Sequence, residues 1–296
     1  IREASTFISN VDQCTELTND QIEDYKAQAR FLRAYFYWML IKQWGPVPLL
    51  PDEGLDINLS YEELSTPRNT YDECVDYIVA EFEEAAIHLE QERSTAYLGM
   101  ATKGAALAAR AKVLLYAASP LYNGNHDLFE LKDEAGNPLI NQNYDERKWA
   151  RAAAAAEEVI NTGWYELYTV PVSEETVLPP AEVRSREFPY GCGGIDPYES
   201  YRQLFNGAIR DMKDNREFIF YRQFNNAGAT GGEDLIDLVK HSYPHNSGWD
   251  GWNTNAVSLK QVDAYYMFDG RDKDNASEGY PYHEDGFITA DDADSV

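Results

Sequence analysis

The sequence has few cysteines, and their spacing excludes several classes of site. Its 296 residues contain three, Cys14, Cys74 and Cys192, which is an odd number with long stretches between them. No C-x-x-C pair occurs, so a zinc ribbon and a thioredoxin-type redox site are excluded. We predict free, buried thiols and, if the protein is exported, a stability that does not depend on a disulfide framework.

Long hydrophobic runs and positive charge are also lacking. No apolar stretch approaches the roughly 18 residues that indicate a transmembrane helix. Lysine and arginine number 25 against 51 acidic residues, which gives a net charge of −26. Such a field repels nucleic acids and anionic membrane surfaces but leaves a neutral ligand unaffected. The composition therefore excludes a nucleic-acid partner and favours a soluble surface protein over a dedicated cation binder.

Motifs for catalysis, cofactors and metals are missing as well. The chain has no G-x-S-x-G, Walker or G-x-G-x-x-G sequence. His241 and His245 are four residues apart, but the proline between them argues against a helical metal pair. The acidic stretch 272–284 resembles an EF-hand loop, yet Ser277 and His283 stand where that loop needs glycine and glutamate. We predict no enzymatic activity, no cofactor and no metal site.

Helical periodicity dominates the first half of the chain. Thr70 and Glu73 form a capping-box pattern at the start of one segment, and Gly163 is placed to end another. Dense alanine predicts closely stacked helices, as in a degenerate tetratricopeptide-like repeat. The predicted helices cover 20–43, 70–89, 102–118 and 145–162.

Apolar residues predict which faces of these helices are buried. The segment 20–43 carries two stripes, so we expect it to pack between two neighbours. The first stripe comprises Ile22, Tyr25, Ala29, Leu32, Phe36 and Met39, and the second comprises Phe31, Tyr35 and Trp38. The predicted buried face of 70–89 comprises Tyr71, Val75, Ile78, Phe82, Ala85 and Leu89. That of the last helix comprises Trp149, Ala152, Ala153, Ala156, Val159 and Ile160.

The second half has no comparable period. It is rich in glycine and proline, with one strand-like run at 217–224 and a short helical segment at 258–267. We therefore predict a mainly α fold: a tetratricopeptide-like helical repeat scaffold over 1–165, followed by an irregular, loop-rich ligand-binding part over 166–296. We expect the second part to be incomplete and unable to fold independently.

Aromatic residues in loops are the candidate binding residues. Trp249 and Trp252 lie in a glycine-punctuated stretch among polar residues rather than in a periodic apolar pattern. An indole can stack on the C–H face of a sugar while amide side chains bond its hydroxyls. The alternatives are that both tryptophans pin the loop, or that they contact a peptide or a partner protein. The proposed ligand-binding set is Trp249, Trp252, Tyr243, Asn253, Asn255 and Tyr198, the last belonging to a weaker cluster with Tyr190 and Tyr201.

Several segments carry motifs that are specific enough to compare with a known family. The run AQARFLRAYFY at 27–37, followed by WGPVPL at 44–49, resembles the signature helix of the SusD/RagB family and the turn after it. Further similarities follow in family order at 67–72, 101–117, 149–165, 215–220 and 262–270. The lipidation cysteine with the first helices, and a C-terminal region, are expected to lie outside this chain.

This resemblance implies a function. Family members are lipid-anchored outer-membrane proteins of the Bacteroidota cell surface that bind nutrients and pass them to a SusC-like TonB-dependent transporter. The expected ligand is an oligosaccharide or polysaccharide, and the expected membrane attachment is only through an N-terminal lipid anchor. A peptide-binding RagB-type member, or a transporter lid with little glycan affinity, remains the alternative.

Overall fold

The computed structural model describes residues 1–53, 56, 58–178, 181, 193–205, 215–221, 257–267 and 269–282. The chain divides into two compact units. The first comprises Ile1–Leu167 with Arg216–Gln223, and the second comprises Tyr168–Asn215 with Phe224–Val296.

The first unit is helical, as predicted. Helices α1, α2, α4, α5 and α6 pack in chain order, each against its neighbour, and α3 is a single turn between α2 and α4. The helices are α1 Arg2–Asn10, α2 Asn19–Trp44, α3 Tyr61–Leu64, α4 Tyr71–His88, α5 Lys103–Ala118 and α6 Arg147–Asn161. Short 3-10 helices lie at Val11–Gln13, Thr95–Tyr97 and His126–Leu128. This serial stacking confirms the mainly α, tetratricopeptide-like class of fold.

Helix α4 forms as its sequence predicts. The Thr70 hydroxyl accepts a hydrogen bond from the backbone N–H of Glu73, whose carboxylate in turn accepts one from the backbone N–H of Thr70. All six residues of the predicted apolar face are buried. Capping and burial therefore agree for α4. It packs between α2 and α5, which makes it the central helix of the core.

Helix α2 buries the predicted stripe that contains Phe31 more completely than the other stripe, of which only Ile22 and Ala29 are buried. Phe31 and Trp38 are buried as predicted, together with Ala34, Tyr37 and Ile41. Leu32, Phe36 and Met39 are exposed, so their predicted burial is wrong. Periodicity identified the apolar stripes correctly, but α1 and α4 cover the stripe that contains Phe31.

A buried ion cluster joins α1, α2 and α4. Arg33 is 1% exposed and Glu81 is 6% exposed. Arg33 Nε donates to Glu81 Oε2 at 2.8 Å, and Arg30 Nη1 donates to Glu81 Oε1 at 2.8 Å. Arg33 Nη1 also donates to the Ser5 hydroxyl at 3.0 Å. Both oxygens of this carboxylate are thus occupied by arginines, which a buried charge requires.

The loop before α5 is fastened to α2 by side chains. The Gln28 side chain makes two hydrogen bonds to the backbone of Ala101: it donates to the carbonyl at 2.7 Å and accepts from the N–H at 2.9 Å. Arg93 donates to the same carbonyl at 3.0 Å and makes a two-pronged ion pair with Asp24 at 2.9 and 2.6 Å. Parallel hydrogen bonds of this kind fix orientation as well as distance.

Helix α6 is buried through alanine rather than through its larger side chains. Ala152 and Ala155 are buried, whereas four residues predicted on the core face are exposed: Trp149, Ala153, Ala156 and Ile160. Small residues let α6 approach α5 closely, so the contact runs along the alanines. Gly163 follows the helix with φ of 64°, which confirms the predicted glycine stop.

The second unit contains short elements. Strand β1 Val170–Pro171 pairs antiparallel with β2 Ile195–Asp196, and α7 Pro197–Phe205 follows β2 directly. Helix α8 Leu259–Val262, with Ser258 as its N-cap, confirms the first part of the helical segment predicted at 258–267, and residues 263–267 are not helical. A 3-10 helix lies at Lys273–Asn275.

The strand predicted at 217–224 is wrong over its described part. Residues 217–221 form turns and bends, and Phe220 packs edge-on against Phe31 with ring centroids 5.2 Å apart. Phe220 thus packs on a core residue of α2, and residues 217–221 contain no strand.

The structure can be compared with two further predictions, on the cysteines and on membrane-spanning helices. Cys74 is buried and Cys14 half-buried, both as free thiols, while Cys192 lies outside the described residues. Across the described ranges, no helix is both long and apolar enough to cross a membrane.

Candidate ligand-binding surface

Most of the predicted binding residues cannot be placed. Tyr243, Trp249, Trp252, Asn253 and Asn255 lie outside the described residues, as does Tyr190. Tyr198 and Tyr201 are described, and both lie on α7 in the second unit. The described part of the predicted site is therefore its weaker tyrosine cluster.

Two buried polar residues, Asp196 and Ser200, fix the position of α7 through hydrogen bonds on one side of the helix. Asp196 Oδ1 accepts from the backbone N–H of Glu199 at 2.9 Å, and its Oδ2 accepts from the Thr176 hydroxyl at 2.6 Å. The buried Ser200 hydroxyl donates to the Asp196 carbonyl at 2.5 Å and accepts from the Val170 N–H at 2.8 Å. Asp196 thus caps the helix, while Ser200 ties it to β1.

The Asp196 cap is charged at neutral pH. Hydrogen bonds from the Glu199 N–H and the Thr176 hydroxyl hold the pKa of the Asp196 carboxyl below its ordinary value. A carboxylate at the start of a helix also interacts favourably with the helix dipole. The cap therefore weakens only under acidic conditions, where this carboxyl becomes protonated.

The other side of α7 presents aromatic rings to solvent. Tyr198, Tyr201 and Phe205 are 71%, 55% and 66% exposed. The rings of Tyr201 and Phe205 meet at an interplanar angle of 63° with centroids 5.4 Å apart. Exposed aromatics grouped on one face indicate a binding surface rather than a core. We call Tyr198, Tyr201 and Phe205, together with Tyr265, the aromatic row.

Tyr265 joins the row from a different part of the second unit. Its hydroxyl lies 3.0 Å from the Tyr201 hydroxyl, and its side chain is 55% exposed. This hydrogen bond raises the pKa of the Tyr201 phenol, which therefore stays protonated at physiological pH. The following residues turn back on themselves, with Met267 N–H donating to the Arg271 carbonyl at 2.8 Å.

Polar side chains flank the row. Arg202 Nε and Nη2 donate to the two oxygens of Glu199 at 3.0 and 2.8 Å, and the Gln203 amide donates to Glu199 at 3.0 Å. The bonds from Arg202, followed by that from Gln203, keep the pKa of Glu199 below its ordinary range. The row is thus bordered by planar donors and acceptors held in a fixed arrangement.

The charged cleft of the first unit is a weaker candidate. It is lined by Asp72, Asp76, Asp145, Arg147, Lys148 and Arg151. These charges pair with each other: Lys148 with Asp72 at 2.5 Å, Arg151 with Asp76 at 2.9 Å, and Arg147 with Asp145 at 2.8 Å. The pairs with Asp72 and Asp76 join α6 to α4, and no aromatic residue is among those that line the cleft. Among the described residues, no group of three or more side chains could hold a metal ion.

Sequence reasoning missed Phe205 and Tyr265 as members of this surface. A usable signal was present, because Asp196-Pro197 followed by Glu199 is a helix start with proline at its first position. Recognising α7 would have placed Tyr198, Tyr201 and Phe205 on one face. The contact of Tyr265 joins distant parts of the sequence and carries no local signal.

Comparison with known proteins agrees with this architecture. Residues 1–115 match a SusD-like family model described as "Starch-binding associating with outer membrane". SusD-like protein P25 of Formosa agariphila is 27% identical over 114 residues, which are 38% of this chain and 21% of that protein.

Two solved structures share the fold over nearly all of the chain. One, named BT4246, superposes with a TM-score of 0.69 at 23% identity and covers 94% of this chain and 47% of its own. A SusD-like protein (BF3747) of Bacteroides fragilis gives a TM-score of 0.59 at 20% identity, with 94% and 41% covered. This chain therefore spans less than half the length of these structures and about a fifth of the curated relative. The first 115 residues thus match a SusD-like family model, and the chain has the fold of SusD-like structures.

Proposed function

We propose that this protein is a cell-surface glycan-binding protein that delivers oligosaccharides to a SusC-like TonB-dependent transporter. The observation that carries the proposal is the aromatic row with its polar border on the second unit. The family model's description, which names starch binding and the outer membrane, supports both the ligand class and the location. Attachment through an N-terminal lipid is part of the same proposal.

The chemistry of the row suits a sugar. A pyranose ring offers C–H groups that pack on an aromatic face and hydroxyls that need hydrogen-bond partners. Tyr198, Tyr201 and Phe205 supply the faces, while Glu199 and Arg202 supply an acceptor and donors beside them. The net charge of −26 disfavours polyanionic ligands, so a neutral glycan is the best match.

Peptide binding is the alternative function that the experiment must distinguish from glycan binding. An aromatic surface with an ion pair also suits an extended peptide, as a RagB-type protein would bind. A third possibility is a transporter lid with little ligand affinity of its own.

We expect the intact protein to bind neutral polysaccharides and to bind a peptide panel weakly or not at all. The measurement is a glycan array alongside a peptide array, followed by calorimetry on the best ligand. Replacing Tyr201 with alanine should weaken that binding. Replacing Tyr97, an exposed tyrosine of the first unit, is the matched control and should not. Peptide binding without glycan binding would replace this proposal with the alternative.

The same incubations test the absence of catalysis. A binding protein leaves its glycan intact, so reducing ends should stay at the level of a buffer blank. Sustained release of reducing ends by the pure protein would contradict the proposal.

We expect a SusC-like transporter to co-purify with the full-length protein from detergent-solubilised outer membranes. Delivery requires that the two proteins meet at the membrane, so a complex should survive mild solubilisation. The measurement is affinity capture with identification of the bound proteins by mass spectrometry. Recovery of the protein from the cytosol alone, without any transporter, would contradict this part of the proposal.

A further inference from the structure

We infer that the exposed apolar side of α2 is an internal docking surface, and that an apolar segment of the same polypeptide outside residues 1–296 packs on it. The surface consists of Leu32, Phe36 and Met39, which we call the outer stripe. The inference concerns the assembly of the first unit and is independent of ligand binding.

The outer stripe lies opposite the side of α2 that faces the core. Leu32, Phe36 and Met39 are 44%, 47% and 44% exposed. At about 3.6 residues per turn, they lie within roughly 60° of one another around the helix axis. Ala34 and Ile41, on the opposite side, are completely buried. Because a helix that is apolar on all sides is normally buried on all sides, the outer stripe requires a partner.

No charge interrupts this side of α2. In the chain as a whole 26% of the residues are charged, yet every residue of 21–43 within about 60° of the middle of the outer stripe is uncharged. These residues are Gln21, Tyr25, Gln28, Ala29, Leu32, Phe36, Met39 and Gln43. Transient interfaces are about as polar as the rest of a protein surface, whereas permanent interfaces are more apolar and poor in charge. The outer stripe therefore fits a permanent, apolar partner.

The lengths of the solved structures indicate where such a partner comes from. BT4246 and the SusD-like protein BF3747 each match 94% of this chain, whereas the chain covers 47% and 41% of them. More than half of each of those folds thus lies outside the matched part. A segment of the same polypeptide is present at a high effective concentration, which makes it a permanent partner. The occupant is therefore such a segment, with uncharged side chains facing α2.

Photo-cross-linking in the full-length protein identifies what contacts the outer stripe. Phe36 is replaced with p-benzoylphenylalanine, an aromatic residue that reacts with nearby C–H bonds on illumination. The expected product is a monomer in which position 36 is joined to a peptide outside residues 1–296, identified by mass spectrometry. The same replacement at Ile87, an exposed apolar residue of α4, is the matched control and should not join to that peptide.

Oxidation of Met39 by hydroxyl radicals gives a second measurement that needs no substitution. The rate at which a methionine is oxidised follows its exposure. If Met39 falls from 44% exposed to roughly a tenth or less, its oxidation should be roughly fourfold or more slower in the full-length protein than in the 1–296 chain. Tyr97, an exposed residue of the same unit, is the internal reference and should be oxidised equally in both. Circular dichroism checks that both chains are helical.

Each of the other outcomes overturns the inference. Cross-links to residues 1–296 alone would assign the cover to this chain itself, and a cross-linked dimer would assign it to a second copy. A cross-link to another protein, formed only in outer membranes, would assign it to that protein. Equal oxidation of Met39 in the two chains would mean that the outer stripe stays exposed. None of these results bears on glycan binding, which the arrays test separately.

Discussion

Replacing Glu81 with alanine should lower the free energy of unfolding by about 3–5 kcal/mol, the range typical when one partner of a buried ion pair is removed. Glu81 accepts from both Arg30 and Arg33, and Arg33 is almost entirely buried. Without the carboxylate, the buried Arg33 guanidinium keeps its charge and retains only the exposed Asp52 carboxylate, 3.1 Å away, as an ionic partner. Chemical denaturation of the variant and the parent protein measures the difference.

Two further variants separate this effect from a general sensitivity of α4. Glu83 lies two residues on, is exposed and pairs with Arg110 at 3.1 Å, so Glu83→Ala should cost no more than about 1 kcal/mol. Replacing Arg33 with methionine and Glu81 with leucine together should cost less than Glu81→Ala, because the buried charge at position 33 is then removed as well. A Glu81→Ala protein as stable as Glu83→Ala would contradict the prediction.

Replacing Trp249 and Trp252 together with alanine should weaken glycan binding by roughly 30-fold or more, since about 1.4 kcal/mol corresponds to a factor of ten. The two indoles are three residues apart, which in extended chain is roughly 10 Å, or about two linked sugar rings. Stacking on an aromatic ring contributes about 1–3 kcal/mol per ring by analogy with nucleic-acid bases. Calorimetry on the two single variants and the double variant measures the loss.

Trp44→Ala is the matched control for the tryptophan variants. Trp44 is an exposed tryptophan at the end of α2 in the first unit, so its loss should leave affinity unchanged. Unchanged affinity in a folded double variant would mean that the two indoles pin the loop and do not contact the ligand. Binding would then depend on the aromatic row alone.

The helices of the first unit were predictable because local and global signals agree there. The Thr70–Glu73 box, the apolar face of α4 and the glycine after α6 each mark an element that the structure contains. Periodicity could not tell which apolar face has a neighbour. It assigned Leu32, Phe36 and Met39 to the core, but α1 and α4 pack on the other side of α2.

The candidate site was predictable only in part, because ligand surfaces depend on contacts between distant segments. Tyr198 and Tyr201 could be singled out as aromatics in a polar context. That Tyr265 meets Tyr201 follows from how residues 64 positions apart come together, which no local pattern encodes. The strand prediction at 217–224 failed for a related reason: an apolar run is ambiguous until its packing partner, here Phe31, is known.

The residues that anchor α7 are different from its exposed aromatic residues, and this has an evolutionary consequence. Every hydrogen bond described above that anchors the helix involves Asp196, Ser200 or the backbone of Glu199, and none involves an aromatic side chain of α7. Under the proposed function, mutations at Tyr198 therefore change ligand preference and leave these anchoring bonds intact, whereas mutations at Tyr201 also remove its hydrogen bond to Tyr265. Relatives with this arrangement can change their ligand specificity through substitutions on the exposed face of α7. Selection for folding acts on the buried face of the same helix.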